Sequence, residues 1–71
     1  MNIAMMILTI NGKKMELPEA MTIGAFLADK NLQPRSVVVE LNRVIIEREK
    51  YDEVEFKDGD EVEIMRFIGG G

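Results

Sequence analysis

The first part of the chain has the apolar and polar pattern of a β-hairpin. Residues 6–10 form a short, mostly apolar run that leads directly into Asn11 and Gly12. This pair favours the two-residue turn of a hairpin because both residues tolerate a positive φ. Residues 13–17 then alternate between polar and apolar side chains, and Pro18 ends the strand because it has no amide hydrogen for a ladder. The pattern therefore predicts two paired strands at the start of the fold.

A helical periodicity follows the hairpin. Thr22 is suited to cap a helix, and after it the helical positions i, i+3, i+4 and i+7 are occupied by the apolar Ile23, Phe26 and Leu27 and by Lys30. This spacing predicts one helix over residues 23–30, ended by Asn31 in the left-handed region. Gly24 lowers the helix propensity by about 1 kcal/mol relative to alanine, so we expect this helix to depend on a packed face.

The second half of the chain predicts three more strands. Residues 37–41 are the most strand-like run in the sequence, and residues 44–46 form a shorter apolar run after Asn42 and Arg43. Residues 61–67 alternate between polar and apolar side chains up to the C-terminal glycines. We therefore expect a strand pair and one closing strand.

The segment that connects these strands, residues 47–57, is rich in charged side chains. We interpret it as a solvated connection held against the core by Tyr51, Val54 and Phe56. A turn of Asp58, Gly59 and Asp60 follows. The acidic residues of this region lack the ligand series of a calcium loop, so we expect solvated carboxylates and no metal site. These residues are Glu53, Glu55, Asp58, Asp60, Glu61 and Glu63.

The resulting order, ββαββ, belongs to the α+β class and matches the β-grasp, or ubiquitin-like, fold. In that fold a mixed sheet of four to five strands curls over one helix, and the first and last strands lie side by side in the centre. The apolar face of the helix needs one face of the sheet to cover it. The residues expected to supply this cover are Leu8, Ile10, Met15, Leu17, Val37, Val39, Leu41, Val62 and Ile64.

The predicted domain spans residues 6–68. Residues 1–5 are expected to be a disordered N-terminal extension, because Met5 and Met6 are each suited to be the original start. Residues 69–71 are expected to form a flexible glycine tail.

The composition excludes several kinds of chemistry. The 71 residues include neither cysteine nor histidine, which excludes disulfides, Cys/His zinc sites, thiol nucleophiles and imidazole catalysis in this chain. Thirteen acidic against nine basic residues give a net charge of −4, the wrong sign for binding nucleic acid. Every apolar run is far shorter than the roughly 18 residues of a membrane span, and no secretory signal begins the chain. We expect a cytoplasmic protein with no nucleic-acid partner, no membrane partner and no bound cofactor or metal.

Half of the six glycines stand together as Gly69, Gly70 and Gly71, directly after the last predicted strand. Without β-carbons, such a tail can enter a narrow slot in another protein and carry its terminal carboxylate to a reactive centre. The carboxylate is ionised at neutral pH and can attack the α-phosphate of a nucleotide. The chain lacks a phosphate-binding glycine loop of its own, so a second protein would have to bind the nucleotide. An inert terminus is the alternative interpretation.

Taken together, these features resemble the ThiS family of sulfur carriers in thiamine biosynthesis. The resemblance covers nearly the whole chain from Met6. It rests on the ββαββ order, on residues 42–46 after the third strand, on the turn at residues 58–60, on the closing strand over residues 62–68 and on the glycine end.

The resemblance implies a specific chemistry. In that family an E1-like enzyme uses ATP to adenylate the terminal carboxylate, a donor protein supplies sulfur, and the resulting thiocarboxylate gives its sulfur to thiazole synthase. Carried onto this sequence, it implies that the reactive carbon is the carboxyl carbon of Gly71, and that Gly69 and Gly70 lead to it. The chain is then a carrier and not an enzyme, and its partners are the adenylating enzyme, thiazole synthase and the sulfur donor. Two alternatives stay open: the related carrier for molybdopterin synthesis, and a non-catalytic β-grasp interaction module.

The last strand also predicts a docking face. If Val62 faces the helix, alternation turns Met65 and Phe67 to the opposite face of the sheet. By the same parity we expect Ile7 and Val38 to join them in one exposed apolar patch, which on a small protein indicates a binding surface. Cover by a loop or by a second copy is the alternative. The residues expected to bind partner enzymes are Ile7, Val38, Met65, Arg66, Phe67 and Ile68.

Overall fold

The computed structural model describes residues 5–67. The expected extension, apart from Met5, and the expected site residues Ile68, Gly69, Gly70 and Gly71 lie outside these described residues. The elements are β1 (Met6–Ile10), β2 (Lys13–Leu17), α1 (Ile23–Asp29), β3 (Val37–Leu41), β4 (Val44–Ile46) and β5 (Glu61–Arg66), with short 3₁₀ helices at Pro34–Ser36 and Arg48–Lys50.

The five strands form one mixed sheet in the order β2-β1-β5-β3-β4. β1 and β5 pair in parallel, and the other neighbours pair antiparallel. The first and last strands therefore lie side by side, with β2 beyond β1 and the β3–β4 hairpin beyond β5. This is the predicted β-grasp arrangement of a five-stranded sheet over one helix.

Both hairpin turns use a pair of residues with positive φ. Asn11 and Gly12 have φ of 51° and 83°, as the sequence predicts for a turn that matches the twist of its strands. The second turn contains Asn42 and Arg43, with φ of 51° and 72°. Arginine rarely adopts a positive φ, so the sequence predicts this turn less strongly than the turn at Asn11 and Gly12.

The helix begins and ends close to its predicted limits. The Oγ1 atom of Thr22 accepts a hydrogen bond from the amide of Ala25 at 3.0 Å, which caps the first turn. Lys30 is the C-cap residue, and Asn31 follows with a φ of 59°. The left-handed residue is therefore Asn31, as predicted, and the helix itself ends one residue earlier than predicted, at Asp29.

The core lies between the helix and the inner face of the sheet. Every sheet residue predicted to cover the helix is either buried or partly buried against the core. The rings of Phe26 and Phe56 pack edge to face, with their centroids 5.6 Å apart and their planes at 89°. This arrangement adds a favourable electrostatic contact to the burial of both rings.

The charged connection over residues 47–57 contributes more to the fold than its composition suggests. Tyr51 and Phe56 are only 4% and 2% exposed, which confirms that apolar side chains hold this segment to the core. Its carbonyls also accept hydrogen bonds from the first turn of the helix: Val54 from the amide of Ile23 at 2.9 Å, and Tyr51 from the amide of Gly24 at 2.8 Å. The connection thereby satisfies donors that a helix N-terminus leaves unpaired.

One carboxylate differs from the prediction. Asp60 was expected to be solvated, but it is only 9% exposed. Its carboxylate accepts hydrogen bonds from the amide of Lys57 at 2.7 Å and from Nδ2 of Asn42 at 3.0 Å. These bonds compensate the cost of burying the side chain, so Asp60 is part of the fold rather than of a solvated acidic face.

Candidate functional site

β5 leads into the glycine tail, and its position decides where the tail leaves the domain. Its flanks are held by the asparagines of the two hairpin turns. Asn11 accepts a hydrogen bond from the amide of Ile64 at 2.8 Å and donates one to the carbonyl of Ile64 at 3.3 Å. On the other side, Oδ1 of Asn42 accepts from the amide of Glu61 at 2.9 Å. Each asparagine thus fits the turn and extends the pairing of β5 beyond its ladder.

The end of β5 is also fixed at the last described residue. The amide of Phe67 donates a hydrogen bond to the carbonyl of Ser36 at 2.9 Å, and Arg66 pairs with Val37 in the ladder. The chain is therefore held by main-chain hydrogen bonding up to the residue before Ile68.

Three of the predicted docking residues come together on the outer face of the sheet, away from the helix. Val38 lies directly opposite Met65 in the antiparallel pair of β3 and β5. Met65 and Phe67 are 47% and 53% exposed, whereas Val38 is partly buried. We call Val38, Met65 and Phe67 the exit patch, because they lie where the chain leaves the sheet.

Ile7 does not belong to the exit patch. It points to the outer face and is 45% exposed, as predicted. However, the parallel register pairs Thr9 with Glu61, which places Ile7 level with Gly59. Two residue steps along β1 separate Ile7 from Thr9, and four along β5 separate Glu61 from Met65, which at about 3.3 Å per residue is about 20 Å. The prediction of one continuous patch was therefore wrong for Ile7, although its parity was right.

Ile45 is a residue that the sequence analysis missed. It pairs with Glu40 in the ladder of β3 and β4, and Glu40 shares its parity with Val38. Ile45 is therefore on the outer face, and it is 64% exposed. The apolar run of residues 44–46 predicted a strand. All three residues of that run are apolar, so no alternation showed which face Ile45 occupies.

Acidic side chains border the exit patch. Glu40 and Glu63 lie directly opposite each other, and Glu61 follows along β5. Together with Arg43 and Met65 they line a shallow cavity of about 460 Å³. Like charges in this position destabilise a sheet slightly, and they suit a partner with basic groups. Residues 5–67 contain no group of histidine, cysteine or acidic side chains placed to hold a metal ion.

Arg66 lies apart from the exit patch. It shares its parity with Val62 and Ile64 and lines a second cavity, near the helix, with Lys30. Within the described part of the chain Arg66 forms no ion pair. The two sides of β5 thus differ: its outer side is apolar and acidic, and its inner side ends in a cation.

Residues 8–71 match the ThiS family model. The chain is 43% identical over 65 residues to the sulfur carrier protein ThiS of Bacillus subtilis (strain 168), a match that covers 90% of this chain and 98% of that protein. The chain belongs to the ThiS family.

A solved ThiS structure confirms the fold. The crystal structure of the thiamine biosynthesis protein ThiS from Geobacter metallireducens superposes on this chain with a TM-score of 0.79 and 40% sequence identity. The match covers 93% of this chain and all of that one. The predicted sulfur carrier of thiamine biosynthesis is therefore confirmed at the level of the family.

The chain also resembles part of two larger proteins. It is 41% identical over 64 residues to a thiazole synthase from Paramagnetospirillum magneticum, and 31% identical over 62 residues to one from Magnetococcus marinus. These matches cover 90% and 87% of this chain. The chain spans about a fifth of the length of both synthases, namely 20% and 19%.

No helix within residues 5–67 is long and apolar enough to cross a membrane.

Proposed function

We propose that this ThiS family member carries sulfur as a thiocarboxylate on Gly71 and gives it to a thiazole synthase. The observation that carries the proposal is the 43% identity to the B. subtilis sulfur carrier over 98% of that protein's length. The matches to two thiazole synthases support a synthase as the acceptor. The chain is a carrier and not a catalyst, because the group that reacts is its own terminus. Its location in the cytoplasm remains a prediction.

The chemistry requires activation before sulfur transfer. A terminal carboxylate oxygen attacks the α-phosphorus of ATP, and pyrophosphate leaves as the acyl adenylate forms. A thiol reductant releases the sulfur of the donor protein's persulfide as hydrosulfide and is left in a disulfide with the donor. The hydrosulfide then attacks the acyl carbon, the bond from that carbon to the AMP oxygen breaks, AMP leaves and the sulfur loses its proton. The product is the thiocarboxylate. An E1-like adenylating enzyme binds the ATP, since this chain has neither a phosphate-binding loop nor a cysteine to hold the sulfur itself.

The test is the intact mass of the chain after incubation with ATP, the adenylating enzyme of the same organism and a sulfur donor. We expect the mass increase that accompanies replacement of one oxygen by sulfur, and no increase when ATP is omitted. Deletion of Gly71 is the matched control and should abolish the increase. An unchanged mass with an enzyme that adenylates another ThiS protein would reject the proposal.

The exit patch is the surface that we propose for docking of the adenylating enzyme. Met65 and Phe67 are about half exposed and lie four and two residues before Gly69, where the tail begins. A partner that encloses the tail therefore removes these apolar side chains from water, which favours binding by roughly 25 cal/mol per Å² buried. The neighbouring carboxylates, Glu40 and Glu63 among them, orient basic groups of that partner and act mainly on the association rate.

Phe67→Asp tests this docking surface, and Ile7→Asp is its matched control. Both residues are exposed apolar side chains of the outer face, at 53% and 45%, but they lie at opposite ends of it. We expect Phe67→Asp to weaken binding of the adenylating enzyme at least tenfold and Ile7→Asp to change it less than twofold, with the far-UV spectra of both variants intact. Equal effects of the two substitutions would refute docking at the exit patch.

A further inference from the structure

A second surface lies on the inner side of the sheet, beside the end of the helix. It is a groove of about 250 Å³ whose partly exposed apolar floor includes Met15, Leu32 and Ile64. The ring of Phe26 closes its base, and Lys30 and Arg66 stand among its lining residues. We call it the helix-end groove. Arg66 is adjacent in the sequence to Phe67, the last described residue, two positions before the glycine tail.

The charge of the helix-end groove is opposite to that of the chain as a whole. The protein carries a net charge of −4, yet the lining contains two cations and no acidic side chain. The ammonium of Lys30 lies 5.6 Å from the centroid of the Phe26 ring, which keeps the positive charge over the apolar floor. A ligand for this surface therefore needs both an apolar group and a negative charge.

The one ion pair at the groove is weak enough to be replaced. Lys30 pairs with Asp29 at 3.7 Å, and the two side chains are 43% and 65% exposed. Exposed pairs of this kind contribute about 0–1 kcal/mol. A carboxylate from a partner can therefore take the place of Asp29 at little cost, while Arg66 has no ion pair to lose within residues 5–67.

The size of the groove favours a protein segment over a small molecule. Its volume of about 250 Å³ lies below the roughly 300–1,000 Å³ of typical small-molecule sites. An apolar side chain with a neighbouring carboxylate complements the apolar floor and the two cations. The groove and the exit patch lie on opposite sides of β5, so one enzyme can hold the exit patch while the groove offers a different contact to another.

We propose that the helix-end groove receives a segment of thiazole synthase that carries a large apolar side chain beside an acidic residue. This rests on the proposed function, in which the synthase accepts sulfur from the tail. Because Arg66 lies only three residues before Gly69 in the sequence, a synthase that takes the glycine tail into its active site comes within reach of Lys30 and Arg66. The groove thus gives the synthase a contact that does not depend on the exit patch.

The test is the dissociation constant of the full chain for the thiazole synthase of the same organism, measured by isothermal titration calorimetry. Lys30→Glu reverses one cation of the groove. Lys14→Glu, on β2 opposite Thr9, makes the same charge change away from it. We expect Lys30→Glu to weaken binding about five- to tenfold, because an attraction becomes a repulsion, and Lys14→Glu to weaken it less than twofold. The difference should shrink in concentrated salt, which screens exposed charges. Arg66→Glu is the second variant, should Lys30→Glu lower the folded fraction.

Three results would overturn the proposal: no effect of Lys30→Glu and Arg66→Glu, an equal effect of Lys14→Glu, or a loss of binding confined to the adenylating enzyme. The mass assay distinguishes failure of the groove proposal from failure of the proposed function. If only the groove proposal fails, the wild-type chain still gains sulfur at Gly71; if the proposed function fails, it does not.

Discussion

Asn11→Gly tests whether an asparagine side chain holds the strand that leads to the tail. Asn11 has a φ of 51°, which glycine adopts without strain. The substitution therefore keeps the turn possible and removes both hydrogen bonds to the backbone of Ile64, at 2.8 and 3.3 Å. Any loss of stability beyond the general cost of a glycine then belongs to those two bonds.

The expected loss follows from the exposure of the bonds. A typical intramolecular hydrogen bond contributes about 0.5–1.5 kcal/mol. Water can replace the amide of Asn11 at this exposed site, so we take the lower half of that range for each bond. The expected loss is about 1–2 kcal/mol, which for a domain of this size lowers the melting temperature by roughly 4–8 °C per kcal/mol.

Asn31→Gly is the matched control. Asn31 has a φ of 59°, close to that of Asn11, and its side chain makes no hydrogen bond within residues 5–67. Both substitutions remove the strain of an asparagine at positive φ, and both increase the entropy of the unfolded chain. These two effects therefore cancel when the stability losses of the two variants are compared. We expect urea denaturation to show a loss about 1–2 kcal/mol larger for Asn11→Gly. Equal losses for the two variants would refute the role of the side chain.

Three further substitutions test the packing around the helix and the last turn. Gly24→Ala introduces a methyl group that meets the Asp52 carboxylate. We therefore expect it to stabilise the protein by about 1 kcal/mol in an Asp52→Ala background and by clearly less in the wild-type background. Equal gains in the two backgrounds, measured by urea denaturation, would contradict this. Asp60→Asn should destabilise the protein by about 1–3 kcal/mol, because the new side-chain NH₂ group faces one of the two donors, Asn42 Nδ2 or the Lys57 amide. Asp58→Asn, at an exposed position, should destabilise it much less. Similar melting temperatures of the two variants would contradict a role for the buried carboxylate. Phe56→Ala should cost about 3–5 kcal/mol through the cavity it leaves, and a small loss in a thermal melt would show that the connection contributes little to the core.

The sequence by itself determined the elements, the residues of the core and the family. Turn chemistry at Asn11 and Gly12, the alternation of the strands and the helical spacing after Thr22 are local properties, and each acts over a few residues. Alternation along the last strand is also a local property, and it assigned Met65 and Phe67 to the outer face. The glycine end after a β-grasp order carried the resemblance to the sulfur carriers, and the terminal chemistry needs no tertiary structure to be recognised.

Only the tertiary structure decided which of these local features meet. The parallel register of β1 and β5 joins segments about fifty residues apart, and no pattern within either strand specifies it; this register separates Ile7 from the exit patch. Burial of Asp60 depends on Asn42, eighteen residues earlier in the chain. Likewise, Lys30 and Arg66 share a groove only because the helix end packs beside β5. Alternation determines the face on which a side chain lies, whereas long-range pairing determines its neighbours on that face.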